Sequence, residues 1–142
     1  MNNGSCIFCK IAKREIHSKI IWQDDCHIAT LTPYPNTPGF TVIFTKEHLS
    51  SYIFDIDETK YFKLMNAARL VGKYLDLKLG TKRCGLIAEG MGIDHAHIKL
   101  IPMHGIQDGD WKKMESKKYL YNEEYQGYLS SHDGPLMDEA KL

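Results

Sequence analysis

His95, His97 and Lys99 occupy every second position in residues 92–102, alternating with Ala96, Ile98 and Leu100. A period of two marks a strand with two unlike faces, here one apolar and one bearing two imidazoles and an ammonium. Successive groups on the reactive face stand about 6–7 Å apart. His-x-His on one strand face is a metal-ligand spacing. The same row suits a phosphoryl group, with neutral imidazole attacking phosphorus and the ammonium steadying its oxygens. A merely solvated face is the third reading, and spacing alone leaves all three open. On the phosphate reading, His97 and Lys99 face a cavity sized for a phosphoryl group. Pro102 has no N–H to donate and ends the ladder.

A second cluster lies near the amino end. Cys6-Ile-Phe-Cys9 is a C-x2-C pair, half of a four-ligand zinc site. No second C-x2-C exists, so histidines from elsewhere would have to complete it. A redox role has less support, because no strand precedes the pair as a thioredoxin-like unit requires. Two ordinary cysteines on a short helix over 6–13 is the plain alternative. His48, just beyond a strand end, is well placed to face the same site as another strand.

The elements that must position these groups follow from pattern. Residues 19–23 and 26–31 read as a hairpin across the turn pair Asp24-Asp25, with Ile20, Trp22 and Ile28 as core. Residues 32–39 hold three prolines and form irregular chain. Residues 40–45 make a third strand that leads into Lys46-Glu47-His48. Asp55-Ile-Asp-Glu58 resembles a capping box, with Asp55 as N-cap. The helix that follows runs to Leu79 and ends at Gly80. Tyr61, Leu64, Met65, Ala68, Val71 and Leu75 form its apolar stripe. Residues 81–89 are the next strand, with Cys84, Leu86 and Ala88 on one face. Gly90 and Gly92 join it tightly to the histidine strand and permit positive φ or close approach to a ligand. Residues 103–115 read as a loop containing His104 and Trp111. Tyr119, Tyr121, Tyr125 and Tyr128 fall in a tail suited to lining a pocket or an interface, with frayed residues 138–142 at its end.

The whole chain sets outer limits. Its 142 residues suit one domain with a real core. Eighteen basic and eighteen acidic residues cancel, which argues against a nucleic-acid duplex as partner while allowing a small anion. No apolar run is long enough to span a membrane, and no signal peptide is evident. The cytoplasm is the expected compartment, and the four cysteines need no disulfides there.

In their order and separations these features resemble the histidine triad (HIT) family. The matching residues are Cys6-Ile-Phe-Cys9-Lys-Ile, Pro38-Gly39 with Lys46-Glu-His48, and His95-Ala-His97 followed by Ile101-Pro102. The resemblance covers about residues 6–102, the core of a single domain spanning 1–142, with 103–142 as a tyrosine-rich extension. It implies an α+β fold, an antiparallel sheet of about five strands with one long helix and a short N-terminal one, assembled as a homodimer. It implies a nucleotide phosphoester or phosphoramidate hydrolase, or a nucleotidyl transferase, working through a covalent nucleotidyl-histidine. The partner is then a small nucleotide-like substrate, and no organic cofactor is expected. His97 matches the family's nucleophile and His95 its first histidine, which supports the site or binds metal. Lys99 stands where the third histidine would be and would hold a phosphate oxygen. Thr32 falls where an aspartate commonly holds the ribose, and Gly90 and Asp94 bound a shortened loop at the substrate. Several bacterial members bind a structural zinc through residues matching Cys6, Cys9, His48 and His95. The altered third position also fits another reading, a non-enzymatic module that binds nucleotide or phosphate without turnover.

Overall fold

In a computed structural model the chain is described over residues 4–107 and 119–142. Residues Met1–Asp108 form one compact unit and Gly109–Leu142 a second. Trp111 lies outside the described residues.

The first unit is an antiparallel five-stranded sheet with an α-helix on either face. In chain order the elements are α1 (Ile7–Ala12), β1 (Ile20–Gln23), β2 (His27–Leu31), β3 (Thr41–Thr45), α2 (Glu58–Leu79), β4 (Cys84–Ile87) and β5 (His97–Pro102). The strands lie in the order β1-β2-β3-β5-β4, so β5, which starts at His97 just after His95, is inserted between β3 and β4. Its register sets Phe44 opposite His97, Ile43 opposite Ile98 and Val42 opposite Lys99. On the other side Ile87 is opposite Lys99.

This register sorts side chains by parity. Ala29, Ile43, Ala96, Ile98 and Leu100 pack on one face against Leu64, Ala67, Ala68, Val71 and Leu75 of α2. Ile28 and Phe44 point the other way and meet Phe8 and Ile11 of α1. Each large side chain buried so completely contributes about 1.5–3 kcal/mol, so both faces of β3 and β5 are anchored.

Three local details differ from the pattern read in sequence. The N-cap of α2 is Asp57, whose carboxylate accepts from the Lys60 N–H; Asp55 ends a 3-10 turn over Ile53–Asp55 instead. Two aspartates within three positions compete for the cap, and the one followed directly by helical backbone takes it, while Asp55 is followed by extended Ile56. Strand β4 covers Cys84–Ile87 alone, because Gly90 and Gly92 adopt positive φ and turn the chain away from the sheet. At the carboxyl end Glu139–Lys141 forms a 3-10 turn, with Asp138 Oδ1 accepting from the Ala140 N–H.

In the second unit Tyr121, Tyr125 and Tyr128 line a concavity of about 800 Å³. Glu123, Glu124 and His132 share its wall.

Candidate functional site

His95, just before β5, is wholly buried, and His97, the first residue of β5, is 3% exposed. Neither ring is free to choose its tautomer. His95 Nε2–H donates to the Thr45 carbonyl at 2.6 Å, which leaves the Nδ1 lone pair pointing away from the strand. His97 Nδ1–H donates to the His95 carbonyl at 2.7 Å, which leaves Nε2 as the free nitrogen. The two imidazoles therefore present opposite nitrogens, and adjacent rings on one strand serve different sites.

His95 Nδ1 enters a cluster of four donors. Cys6 Sγ is 3.3 Å away, Cys9 Sγ 3.6 Å and His48 Nδ1 3.2 Å, while Cys9 Sγ and His48 Nδ1 are 3.3 Å apart. All four donor atoms lie within 4.8 Å of one another. A tetrahedral zinc with Zn–S near 2.3 Å and Zn–N near 2.0–2.1 Å requires donor separations of about 3.3–3.8 Å, so the residues fit that ion. The chemistry of the set points the same way. Two imidazole nitrogens facing each other at 3.2 Å need a cation or a proton between them. Burial, followed by the neighbouring Cys6, holds the Cys9 thiol above its ordinary range; a divalent cation at the centre would oppose both effects. The Thr45 carbonyl behind His95 is the usual kind of support for a ligating histidine. A pocket of about 490 Å³, lined by Ser5, Cys6, Ile7, His48 and residues 92–94, opens beside the cluster.

These ligands come from three places that the sequence separates widely. Cys6 caps α1 and Cys9 sits in its first turn. His48 follows β3, and His95 precedes β5. Phe8 lies between the thiols on α1, and its ring stacks on Phe44 with centroids 4.3 Å apart. The same ring is 5.6 Å from His95 and 5.5 Å from His97. Helix α1 is thus pinned by an aromatic wedge as well as by its cysteines.

Phe8 also changes the expected setting of His97. The ring lies beneath Phe8, and His97 lines neither the 490 Å³ pocket nor a smaller one of about 220 Å³ at the β1–β2 turn. Among the described residues Nε2 has no hydrogen-bond partner. Among the described residues the unpartnered side-chain oxygen or nitrogen fully sealed from solvent is Glu89 Oε2. Burial pulls His97 below the usual imidazole range, with the Lys99 charge acting in the same sense, against the opposing His95 carbonyl and Glu89. The ring is therefore neutral near pH 7, as a nucleophile must be.

Lys99 shares this face, but its Nζ donates to Glu89 Oε1. Glu89 was not among the residues that pattern singled out. Its signal was a carboxylate two positions past a strand whose Ile87 faces Lys99. Thr32 lies just past β2; its hydroxyl accepts from the Tyr34 N–H, and its own N–H donates to the Phe40 carbonyl. Gly90 and Asp94 are occupied otherwise than expected. A Cβ on Gly90 would lie 2.5 Å from the Ser51 carbonyl oxygen, so the glycine admits backbone rather than a ligand. Asp94 Oδ1 accepts from the Ser51 N–H and lies by the cysteine–histidine cluster, not by Lys99. His104 Nε2–H is bonded to the Pro38 carbonyl.

Comparison with known proteins gives this geometry a family. The HIT domain model matches residues 13–106. "Protein hit" of Bacillus subtilis is 30% identical over 111 residues, covering 74% of this chain and 75% of that protein. A structure described as a HIT family hydrolase from Clostridium thermocellum is 28% identical, with a TM-score of 0.62, over 72% of this chain and 94% of its own. A zinc-bound histidine triad family protein from Mycobacterium smegmatis shares the fold at 19% identity and a TM-score of 0.65, over 77% of this chain and 80% of its own. With two-thirds of its length matched and the antiparallel sheet, long helix and histidine strand in place, this chain belongs to the HIT domain family.

Proposed function

We propose that the protein is a hydrolase of nucleotide phosphoesters or phosphoramidates, with His97 as its nucleophile. The observation that carries the reading is the fixed His97 tautomer, with Nδ1–H on the His95 carbonyl and a neutral ring whose Nε2 has no partner among the described residues. In the first step Nε2 forms a bond to phosphorus, and the bond from phosphorus to the leaving oxygen or nitrogen breaks. The Lys99 ammonium gives a proton to the departing group. The imidazolium character of the resulting phosphorus–histidine bond is offset by the His95 carbonyl. In the second step water attacks phosphorus, its proton returns to the Lys99 amine, and the nitrogen–phosphorus bond breaks to restore neutral His97. Thr32, one residue past β2, takes the sugar side of the substrate in this reading.

Cys6, Cys9, His48 and His95 would hold a structural zinc, which when bound would neutralise the thiolates and tie α1 to the sheet. A homodimer is part of the same reading. Strand β4 is an edge of the sheet and exposes Leu86, which offers both backbone pairing and apolar contact to a second copy. The compartment proposed is the cytoplasm, where the four free cysteines remain reduced. No helix among the described residues is long and apolar enough to cross a membrane.

A second reading draws on the Lys99–Glu89 ion pair, which neutralises the site's cation. It makes the protein a nucleotide-binding module without turnover. Incubation with dinucleoside polyphosphates, aminoacyl adenylates and nucleoside phosphoramidates separates the two. Turnover lost in His97→Ala supports the hydrolase. Turnover unchanged in that variant rejects it, and nucleotide binding without any turnover by the native protein favours the module.

A further inference from the structure

Glu89 is the least explained group on the reactive face. Its side chain is 11% exposed, and that of Lys99 31%. Oε1 accepts from Lys99 Nζ. Oε2 is sealed from solvent and has no donor among the described residues, although a buried carboxylate oxygen without a partner is costly. The bond to Lys99 holds the Glu89 carboxylate on the side of β5 that carries His97, and Glu89 and His97 interact through space. Nucleophile, ammonium and carboxylate therefore form one constellation.

The hydrogen-bonding inventory of these groups suggests its purpose. An imidazole at position 99 would offer one donor and one acceptor with no net charge. Lysine alone offers donors only and a full positive charge. Lysine held by glutamate stays a donor but carries no net charge as a pair. We propose that Glu89 and Lys99 act as one unit in place of an imidazole, with Glu89 the positioning residue that aims the ammonium at the group leaving phosphorus. This rests on His97 being the nucleophile.

The proposal predicts opposite effects on binding and turnover. A carboxylate near the phosphate opposes ground-state binding of an anion, while its hold on Lys99 assists the reaction. Glu89→Gln should bind adenosine 5′-monophosphate about tenfold more tightly by calorimetry. It should lose about 100-fold or more in kcat on an adenosine 5′-phosphoramidate, the low end of what a positioned proton donor contributes. Lys99→Gln should lose a comparable amount, and the double variant no more than either single one. Glu89→Asp, which keeps the charge, should recover part of the loss and serves if Glu89→Gln folds poorly. Unchanged kcat in Glu89→Gln, weaker binding of the monophosphate, or losses that multiply in the double variant would overturn the proposal. Should His97→Ala stay active, or the native protein neither bind nor turn over these probes, the nucleophile assignment itself falls. A dead His97→Ala beside a fully active Glu89→Gln removes only the role of Glu89.

Discussion

Replacing Gly90 and Gly92 separately with alanine isolates the packing that sets the entry to the histidine strand. Both glycines have positive φ, +70° and +89°, so alanine pays the left-handed penalty at either position, about 1–2 kcal/mol. They differ in surroundings. An added Cβ at Gly92 meets nothing within 4 Å. At Gly90 it would lie 2.5 Å from the Ser51 carbonyl oxygen and 2.9 Å from its carbon, both backbone atoms. Relief requires moving Ser51, whose N–H is bonded to Asp94, next to His95. Overpacking of this kind costs about 1–3 kcal/mol more. Gly92→Ala should therefore destabilise by about 1–2 kcal/mol and Gly90→Ala by about 2–5 kcal/mol. In a unit of this size a 2 kcal/mol gap separates the melting temperatures by about 8–16 °C. Urea titration of both variants by circular dichroism, at equal m-values, measures the difference. If Gly90→Ala proves no less stable than Gly92→Ala, the close approach to Ser51 does not govern this loop.

Chelation tests the four-donor cluster: stripping metal should lower the melting temperature and adding zinc restore it, by about 2.7 kcal/mol at a free concentration one hundred times the Kd. An unchanged melting temperature together with no zinc in elemental analysis would refute this. Phe8→Ala should cost about 3–5 kcal/mol, because its buried ring stacks on Phe44, and it should also speed ethoxycarbonylation of His97 by diethyl pyrocarbonate. Equal reactivity in both proteins would show that Phe8 does not restrict access. The hairpin staple predicts a pH effect. Burial raises the Asp24 carboxyl, but hydrogen bonds from the His27 ring and the Cys26 and His27 N–H groups outweigh it and hold the group below the usual carboxylate range. Its contribution is present above about pH 4 and is lost as pH falls through the folded value, so the stability gap between native protein and Asp24→Asn should shrink from pH 6 to pH 3. With Asp24 substantially solvent-exposed, the gap should stay under about 1 kcal/mol. A gap that widens on acidification would reverse the sign and refute the assignment.

How much was legible in the chain depended on how local each signal was. Alternation along 95–101 is a property of one strand, and it placed the histidines and Lys99 on the correct face. The spacing of Leu64, Ala68, Val71 and Leu75, with Gly80 at φ +68°, likewise fixed the long helix and its end. The four-donor cluster draws on residues 6, 9, 48 and 95, and no spacing rule links those; only the family resemblance supplied it. The Glu89–Lys99 pair was hidden because it depends on where the chain just past β4 lies against β5. The ring of Phe8 over His97 was hidden for a related reason. Which sheet face a short helix covers is decided by the register of Ile28 and Phe44, not by the sequence of the helix.

Because α1 supplies both thiols and the ring that shelters His97, any event that loosens this single turn-and-a-half of helix acts on two places together. Oxidation of the cysteines, a competing thiophilic metal or proteolysis before Ile7 would separate the donor pair from the cluster and uncover His97 in one motion. Loss of an ion held by this cluster would thus also change how readily the His97 ring is reached.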